Sequence, residues 1–120
     1  MNKKTLVFGA STNPSRYSYL AINRLVEHGH EVVAFGLRVG MVAGIEIDTE
    51  LNDYSAIDTI TLYMNPQRQD EYYEYLISLK PKRIIFNPGT ENPELYTLLM
   101  EHNIKFEAAC TLVLLSINQY

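Results

Sequence analysis

Polar groups that suit a phosphate are concentrated in one turn near the start of the sequence. The turn follows the apolar run Thr5–Phe8 and opens at Gly9, in the stretch LVFGASTNPSRYSY. Besides backbone amides, it offers the side chains of Ser11, Asn13, Ser15, Arg16 and Ser18. Amides at the start of a helix attract anions, and arginine can donate two parallel hydrogen bonds to a phosphate. The turn therefore predicts a site for a phosphorylated ligand.

The same turn differs from the glycine-rich loop of dinucleotide-binding folds. That loop has the pattern G-x-G-x-x-G, of which only the first glycine, Gly9, is present here. Ser11 and Pro14 stand at the other two glycine positions. Because proline disrupts a helix interior, we expect the following helix to begin later, near residues 15–18. A longer loop would then hold a pyrophosphate in a different way, and the alternative is an ordinary polar connection.

The end of the second predicted strand bears on the type of nucleotide. NAD-binding folds carry an acidic residue there, which holds the two ribose hydroxyls. This sequence has Phe35-Gly36-Leu37-Arg38 instead. An arginine suits a phosphorylated ribose, as in NADP or in the 3'-phosphate of coenzyme A (CoA). The alternative is that Arg38 is a solvated loop charge.

Hydrophobic periodicity predicts the elements that position these residues. Strands are expected at residues 5–8, 31–35, 58–63, 83–86 and 105–109. Helices are expected at residues 17–28, 67–79 and 93–102, with a short helix in the terminal stretch TLVLLSI. Residues 37–56 are predicted to be irregular, except for one short extended piece at 45–47.

Strands that alternate with helices predict a three-layer, doubly wound α/β fold with a parallel sheet. We expect about five strands in the order 3-2-1-4-5. The topological switch, where ligands bind above the carboxyl ends of the strands, is then expected between strands 1 and 4.

The dipeptide Asn-Pro occurs four times, and it follows a predicted strand at Asn13-Pro14, Asn65-Pro66 and Asn87-Pro88. Asparagine caps helices and proline fits their first turn, which is the role expected at Asn65-Pro66 and at Asn92-Pro93. At Asn87-Pro88-Gly89 the glycine permits a positive φ or the close approach of a ligand. A plain turn and a ligand-contacting loop are both compatible with this sequence.

Length and composition limit the possible functions. At 120 residues we expect one domain, and the net charge of −4 gives no footprint for a nucleic acid. No apolar run has the length of a membrane span, and no secretion signal is recognised, so a cytoplasmic protein is expected. The single Cys110 excludes an internal disulfide framework, and we expect it to be buried and inert.

No pair of a nucleophile and a base can be assembled from the sequence. His28 and His30 are expected at the edge of the sheet opposite the ligand, in structural or solvated roles. We therefore expect a binding protein rather than an enzyme, with no metal.

Four stretches together resemble the small, stand-alone CoA-binding proteins of the Rossmann-like CoA-binding family, which is related to the CoA-binding domain of succinyl-CoA synthetase. The stretches are VFGASTNPSRYSY, LVEHGHEVVAF, IDTITLYMNP and IIFNPGTENPEL. They extend over nearly the whole chain in the order that the family has.

This resemblance implies a position for each part of CoA. Gly9, Ala10, Ser11 and Arg16 would hold the pyrophosphate, and Arg38 would lie near the 3'-phosphate. The adenine side would be bordered by Tyr63, Asn65 and Pro66. The pantetheine path would be bordered by Asn87, Pro88 and Gly89.

The sequence departs from the family at two places. After strand 2 it has FGLR where the family often has a V-N-P type of segment, and its terminal stretch TLVLLSINQY is apolar where the family is commonly basic or polar. The apolar terminus is compatible with a capped pocket or with a homo-oligomer contact. CoA or acyl-CoA is the expected ligand. The alternatives are an NADP-binding oxidoreductase or redox sensor, and an interaction domain that has lost its ligand.

Overall fold

A computed structural model describes residues 2–120. Within these residues one sheet contains the strands β1 (Thr5–Phe8), β2 (Val32–Phe35), β3 (Gly40–Val42), β4 (Ile45–Asp48), β5 (Thr59–Leu62), β6 (Arg83–Phe86) and β7 (Lys105–Ala108). The helices are α1 (Tyr17–Glu27), α2 (Pro66–Gln69), α3 (Tyr73–Ser78), α4 (Pro93–Glu101) and α5 (Thr111–Ser116). A 3-10 turn at Asp70–Tyr72 connects α2 to α3.

The strand order across the sheet is β3-β4-β2-β1-β5-β6-β7. All neighbouring strands are parallel except β3 and β4, which form an antiparallel hairpin at one edge. If the hairpin's outer strand β3 is set aside, the parallel strands taken in chain order have the arrangement 3-2-1-4-5-6. This arrangement is the doubly wound, Rossmann-like one.

The prediction of five strands in the order 3-2-1-4-5 is wrong, because the sheet has seven strands and the five predicted ones do not follow each other in that order. The predicted third strand is β5, and it pairs with β1 rather than with β2. The place beside β2 is taken by β4, which contains the short extended piece predicted at 45–47. As a result, the topological switch lies between β1 and β5, not between β1 and β6.

Most of the other predicted elements are confirmed to within a few residues. The helix after the first turn begins at Tyr17, as Pro14 required, and the terminal helix is α5. The single helix predicted at 67–79 is instead divided into α2, the 3-10 turn and α3. At this break the side chain of Gln69 is fully buried and donates hydrogen bonds to the carbonyls of Met64 and Thr90.

Helices cover both faces of the sheet. On one face Ile22 and Leu25 of α1 and Leu115 of α5 pack together with Val7 of β1. On the other face Leu76 of α3 and the α4 residues Leu95 and Leu99 belong to the second apolar cluster. Full burial of one such side chain stabilises the folded state by about 1.5–3 kcal/mol. None of the described helices is long and apolar enough to cross a bilayer.

The turn after β1, here called the β1 loop (residues 9–16), crosses directly over the end of β2. The carbonyl of Phe35 accepts hydrogen bonds from the amides of Gly9 and Ala10, at 2.9 and 2.8 Å. A Cβ atom on Gly36 would lie only 2.3 Å from the carbonyl oxygen of Ala10. This close approach requires glycine at position 36.

We expect Gly36→Ala to destabilise the protein by about 2–3 kcal/mol, because the clash is with backbone that cannot move aside freely. Gly29→Ala is the matched control. Gly29 has a φ of +81° but open space around it, so only the conformational cost of about 1 kcal/mol applies. Denaturant unfolding of both variants measures the difference, and equal losses would contradict the close contact.

Candidate functional site

The candidate site lies on the carboxyl rim, the edge of the sheet marked by Gly9, Gly36, Tyr63 and Asn87. Gly9 has a φ of +103°, and a Cβ atom there would lie 3.0 Å from the carbonyl carbon of Tyr63. The exits of β2, β1 and β5 are therefore in direct contact at the topological switch, which is where doubly wound folds bind ligands.

Two side chains of the β1 loop form hydrogen bonds with other residues of the same loop. Asn13 Oδ1 accepts hydrogen bonds from the amide and the hydroxyl of Ser15, at 3.0 and 2.8 Å. Ser11 Oγ accepts from the amide of Asn13 at 3.0 Å. This is the local turn chemistry of asparagine and serine. Of the donors predicted from the sequence, Asn13 and Ser11 thus shape the loop through these contacts.

The backbone amides of the β1 loop and of the first turn of α1 differ in whether they have an acceptor within the protein. Those of Gly9 and Ala10 are engaged by Phe35, although the sequence placed both residues at the pyrophosphate. Among residues 2–120, no hydrogen-bond acceptor is present for the amides of Ser11, Thr12, Tyr17 and Ser18. The first turn of α1 also has no side-chain cap. These amides are available to an anion at the start of an eleven-residue helix.

The two predicted arginines are exposed. Neither Arg16 nor Arg38 forms an ion pair with any described residue. Arg38 lies between two contacts with the β1 loop, because Gly36 touches Ala10 and a Cβ on Gly40 would lie 2.3 Å from Thr12 Cγ2. Ser18, in contrast, is only 3% exposed, so its side chain offers little surface to a ligand.

The exit of β5 carries three of the predicted residues. The Tyr63 hydroxyl is buried and has no hydrogen-bond partner in the described part of the chain. Burial is the main cause that raises the pKa of Tyr63, so this hydroxyl remains protonated at neutral pH. Asn65 caps α2 by accepting from the amide of Arg68 at 3.1 Å, and Pro66 occupies the first turn, as predicted.

Asn87 serves as an internal connector. Its side chain is 2% exposed and donates to Thr61 Oγ1 at 2.8 Å and to the carbonyl of Leu62 at 2.9 Å. Its Oδ1 accepts from the amide of Thr111, the first residue of α5, at 2.9 Å. The exits of β5 and β6 and the start of α5 are thereby held together. Only Pro88 and Gly89 of this segment are exposed to a ligand.

A second polar network connects the loops on the other face. Asn92 caps α4 as predicted, and its Nδ2 donates to Gln69 Oε1 at 2.8 Å. Gln69 in turn bonds the loops that follow β5 and β6. Sequence reasoning missed three residues of the rim, which are Gly36, Thr12 and Gln69. Only Gly36 had a signal in the sequence, because this glycine directly follows a predicted strand.

Two surface cavities lie outside the β1 loop. One of about 260 Å³ is found at the carboxyl end of β4 and is lined by Glu46, Asp48 and Glu50 among others. Its carboxylates would repel a phosphate. A groove of about 480 Å³ lies between α1 and α5 and contains none of the predicted site residues.

Two expectations concerned reactive groups. Cys110 is half-buried at the start of α5 rather than fully buried. Among residues 2–120, no cluster of three or more His, Cys, Asp or Glu side chains could hold a metal ion.

Comparison with known proteins identifies the family. The CoA-binding domain family matches the sequence over residues 3–116. The chain belongs to this family. No curated protein matches the sequence.

Solved structures are similar to this CoA-binding domain over 92–100% of its length. An uncharacterised protein is 49% identical with a TM-score of 0.97, over 100% of this chain and 99% of its own. A hypothetical protein from Pyrococcus horikoshii is 26% identical with a TM-score of 0.84, over 92% of this chain and 80% of its own. A Thermus thermophilus protein, 21% identical over 98% of this chain and 90% of its own, shares the fold with a TM-score of 0.86.

Asn87→Ala should destabilise this CoA-binding domain by about 3 kcal/mol, because it leaves the Leu62 carbonyl and the Thr111 amide buried without partners. Asn65→Ala is the matched control: it removes an exposed helix cap of the same residue type and should cost about 1 kcal/mol. Denaturant unfolding measures both. A loss at Asn87 no larger than that at Asn65 would contradict the connector role.

Proposed function

We propose that the protein binds CoA or an acyl-CoA at the carboxyl rim, as a module without catalytic groups of its own. The observation that carries this proposal is the set of amides without an acceptor among residues 2–120, two in the β1 loop and two in the first turn of α1, next to two exposed arginines in a chain of the CoA-binding domain family. The overall charge of −4 would not attract a ligand with several phosphates, so the attraction must be local.

The pyrophosphate is proposed to lie at the start of α1. The amides of Ser11, Thr12, Tyr17 and Ser18 supply neutral donors there, and Arg16 supplies the charge. Gly9 and Ala10 contribute through their shape, because their own amides are engaged by Phe35. This arrangement places the pyrophosphate further along the loop than in a G-x-G-x-x-G site.

The 3'-phosphate is proposed to lie near Arg38, on the β2 side of the β1 loop. The contacts of Gly36 and Gly40 with that loop support this placement, since they hold the Arg38 segment beside Ala10 and Thr12. The exposed guanidinium has no internal partner to compete for it within residues 2–120.

The strand order favours a different place for the residues after β5 than the adenine side that the family resemblance implied. The exits of β2 and β5 lie on opposite sides of β1. If Arg38 marks the adenosine end, then Tyr63, Asn65 and Pro66 lie toward the pantetheine, together with Pro88 and Gly89.

The positions of the histidines support a role in binding rather than catalysis. His28 follows α1, His30 precedes β2 and His102 follows α4. All three therefore lie at the amino ends of the strands, away from the proposed ligand.

NADP is the second candidate because Arg38 would equally suit its 2'-phosphate. CoA should raise the melting temperature more than NADP or NAD does at equal concentration, since stabilisation follows affinity for the native state. A larger shift with NADP would favour the second candidate.

Arg38→Ala should remove most of the preference for CoA over dephospho-CoA, which lacks the 3'-phosphate. A charge-assisted hydrogen bond contributes about 1.5–3 kcal/mol, which corresponds to roughly tenfold or more in affinity. Because Arg38 is exposed, solvent screening favours the lower figure. Arg16→Ala should weaken both ligands alike, because both contain the pyrophosphate. Isothermal titration calorimetry measures all four combinations.

Arg24→Ala is the matched control, since it removes the same charge from the far end of α1, where Arg24 pairs with Glu27. Both ligands should bind this variant as they bind the wild type. An unchanged ratio of CoA to dephospho-CoA affinity in Arg38→Ala would contradict the role of Arg38. No binding of CoA to the wild type would contradict the proposed function itself.

A further inference from the structure

The residues that end the chain are held at the amino rim, the edge opposite the candidate site, by polar contacts. The Tyr120 hydroxyl shares a hydrogen bond with Thr5 Oγ1 at 2.5 Å, and Lys3 Nζ donates to the backbone oxygen of Tyr120 at 2.7 Å. The Arg83 guanidinium lies 4.5 Å from the centroid of the Tyr120 ring. These contacts anchor the end of residues 111–120, here called the C-terminal segment, whereas its start is held by the hydrogen bonds of Thr111 to Asn87 and Thr61.

Apolar packing of this segment is limited to Leu115 and the Tyr120 ring, which contact the cluster around Val7. Only Thr111 and Leu115 of α5 are buried. A groove of about 480 Å³ separates α5 from α1. Segments with few buried apolar contacts open more readily than the core of a domain. The polar contacts at Tyr120 therefore have a large share in keeping the segment in place.

His30 belongs to the same cluster, and its hydrogen bond requires a neutral ring. The backbone amide of Lys3 donates to His30 Nδ1 at 2.9 Å. A protonated imidazole carries a hydrogen on Nδ1 and cannot accept this bond. The Lys3 segment, which also binds Tyr120, would lose its contact with the ring. The His30 ring itself lies 5.0 Å from the Tyr120 ring, centroid to centroid.

The other two histidines differ in this respect. His28 Nδ1 lies 2.7 Å from the carbonyl of Arg24, and His102 Nδ1 lies 2.9 Å from the carbonyl of Leu98. In both cases the ring nitrogen is the donor, and a protonated ring makes the same bond. Only the His30 contact is broken by protonation.

The groups around His30 disfavour a further positive charge. Lys3 faces it from the N-terminal segment, His28 from the end of α1 and Arg83 from β6, while Tyr120 contributes a neutral ring. The carboxylate of Glu31, next in the chain, lies 3.7 Å from Lys4. Burial, followed by these positive charges, lowers the pKa of His30.

We propose that His30, Lys3 and Tyr120 form a pH-sensitive latch, in which protonation of His30 releases the C-terminal segment from the amino rim. The folded, latched state disfavours the proton, whereas the released state binds it with the ordinary affinity of an imidazole. The latch is therefore fully closed above the ordinary histidine pKa of about 6.5 and weakens as the pH falls below that value.

Amide hydrogen exchange measured by NMR on the full chain tests this proposal. Leu114, Ile117 and Gln119 are suitable reporters, since their amides donate to carbonyls of the segment itself or of Cys110. Between pH 7.5 and pH 5.5, their protection factors, corrected for intrinsic exchange, should fall about tenfold in the wild type, the scale of one lost hydrogen bond. Protection of core amides in β1 and β5 should change less.

His30→Gln supplies a carbonyl oxygen that accepts at every pH, so its reporters should lose no protection between the two pH values. His102→Gln is the matched control and should behave as the wild type. Unchanged protection in the wild type, or an equal loss in His30→Gln, would overturn the proposal. If His30→Gln does not fold, the wild type still decides: the reporters should follow the NMR titration of the His30 ring, and a loss that follows His28 or His102 would overturn the latch.

Discussion

The position of the β1 loop depends on one backbone oxygen, the carbonyl of Phe35. It accepts two amides of the loop, those of Gly9 and Ala10, at the point where β2 ends. The crossing is so close that a single methyl group on Gly36 would overlap the Ala10 carbonyl. Because the loop is held at its beginning, the amides of Ser11 and Thr12 in the loop, and of Tyr17 and Ser18 in α1, remain at the carboxyl rim without an acceptor among residues 2–120.

The polar residues of the rim divide between two tasks. Asn87 and Gln69 are buried, and they form their hydrogen bonds with other groups of the protein, which joins the exits of β5 and β6. Such satisfied networks fix the geometry of a site but leave nothing for a ligand. The groups left for a ligand are the amides of Ser11, Thr12, Tyr17 and Ser18, which have no acceptor among residues 2–120, and the two exposed arginines. The proposed CoA site is built from this second set.

Sequence reasoning located most elements, since buried strands and amphipathic helices have strong periodic signals. It missed β3, and it did not count the extended piece at 45–47, which is β4, as a strand of the sheet. These two strands are three and four residues long and form the hairpin at the edge of the sheet. Short edge strands carry exposed and polar residues, so their pattern is weak. Without β4, the strand order was assigned to the wrong strands, although the rule behind it holds once β4 is counted.

The residues of the candidate site were harder to predict than the fold. Asn87 was associated with the ligand because an asparagine in a rim loop can serve either a ligand or the protein, and only burial distinguishes the two. Gly9 and Ala10 stand at the expected turn, but the partner of their amides belongs to a strand more than twenty residues away. Nothing in the sequence marked Thr12 as a site residue, because the group that it contributes to the proposed site is its backbone amide and not its side chain.

The most direct test of the central claim is a titration of the isotopically labelled protein with CoA, followed by amide chemical shifts. The largest changes should occur at Ser11, Thr12, Tyr17 and Ser18, whose amides are free, with smaller changes at Gly9 and Ala10. Changes confined to the groove around Leu20 and Leu112, or no changes at all, would contradict the account.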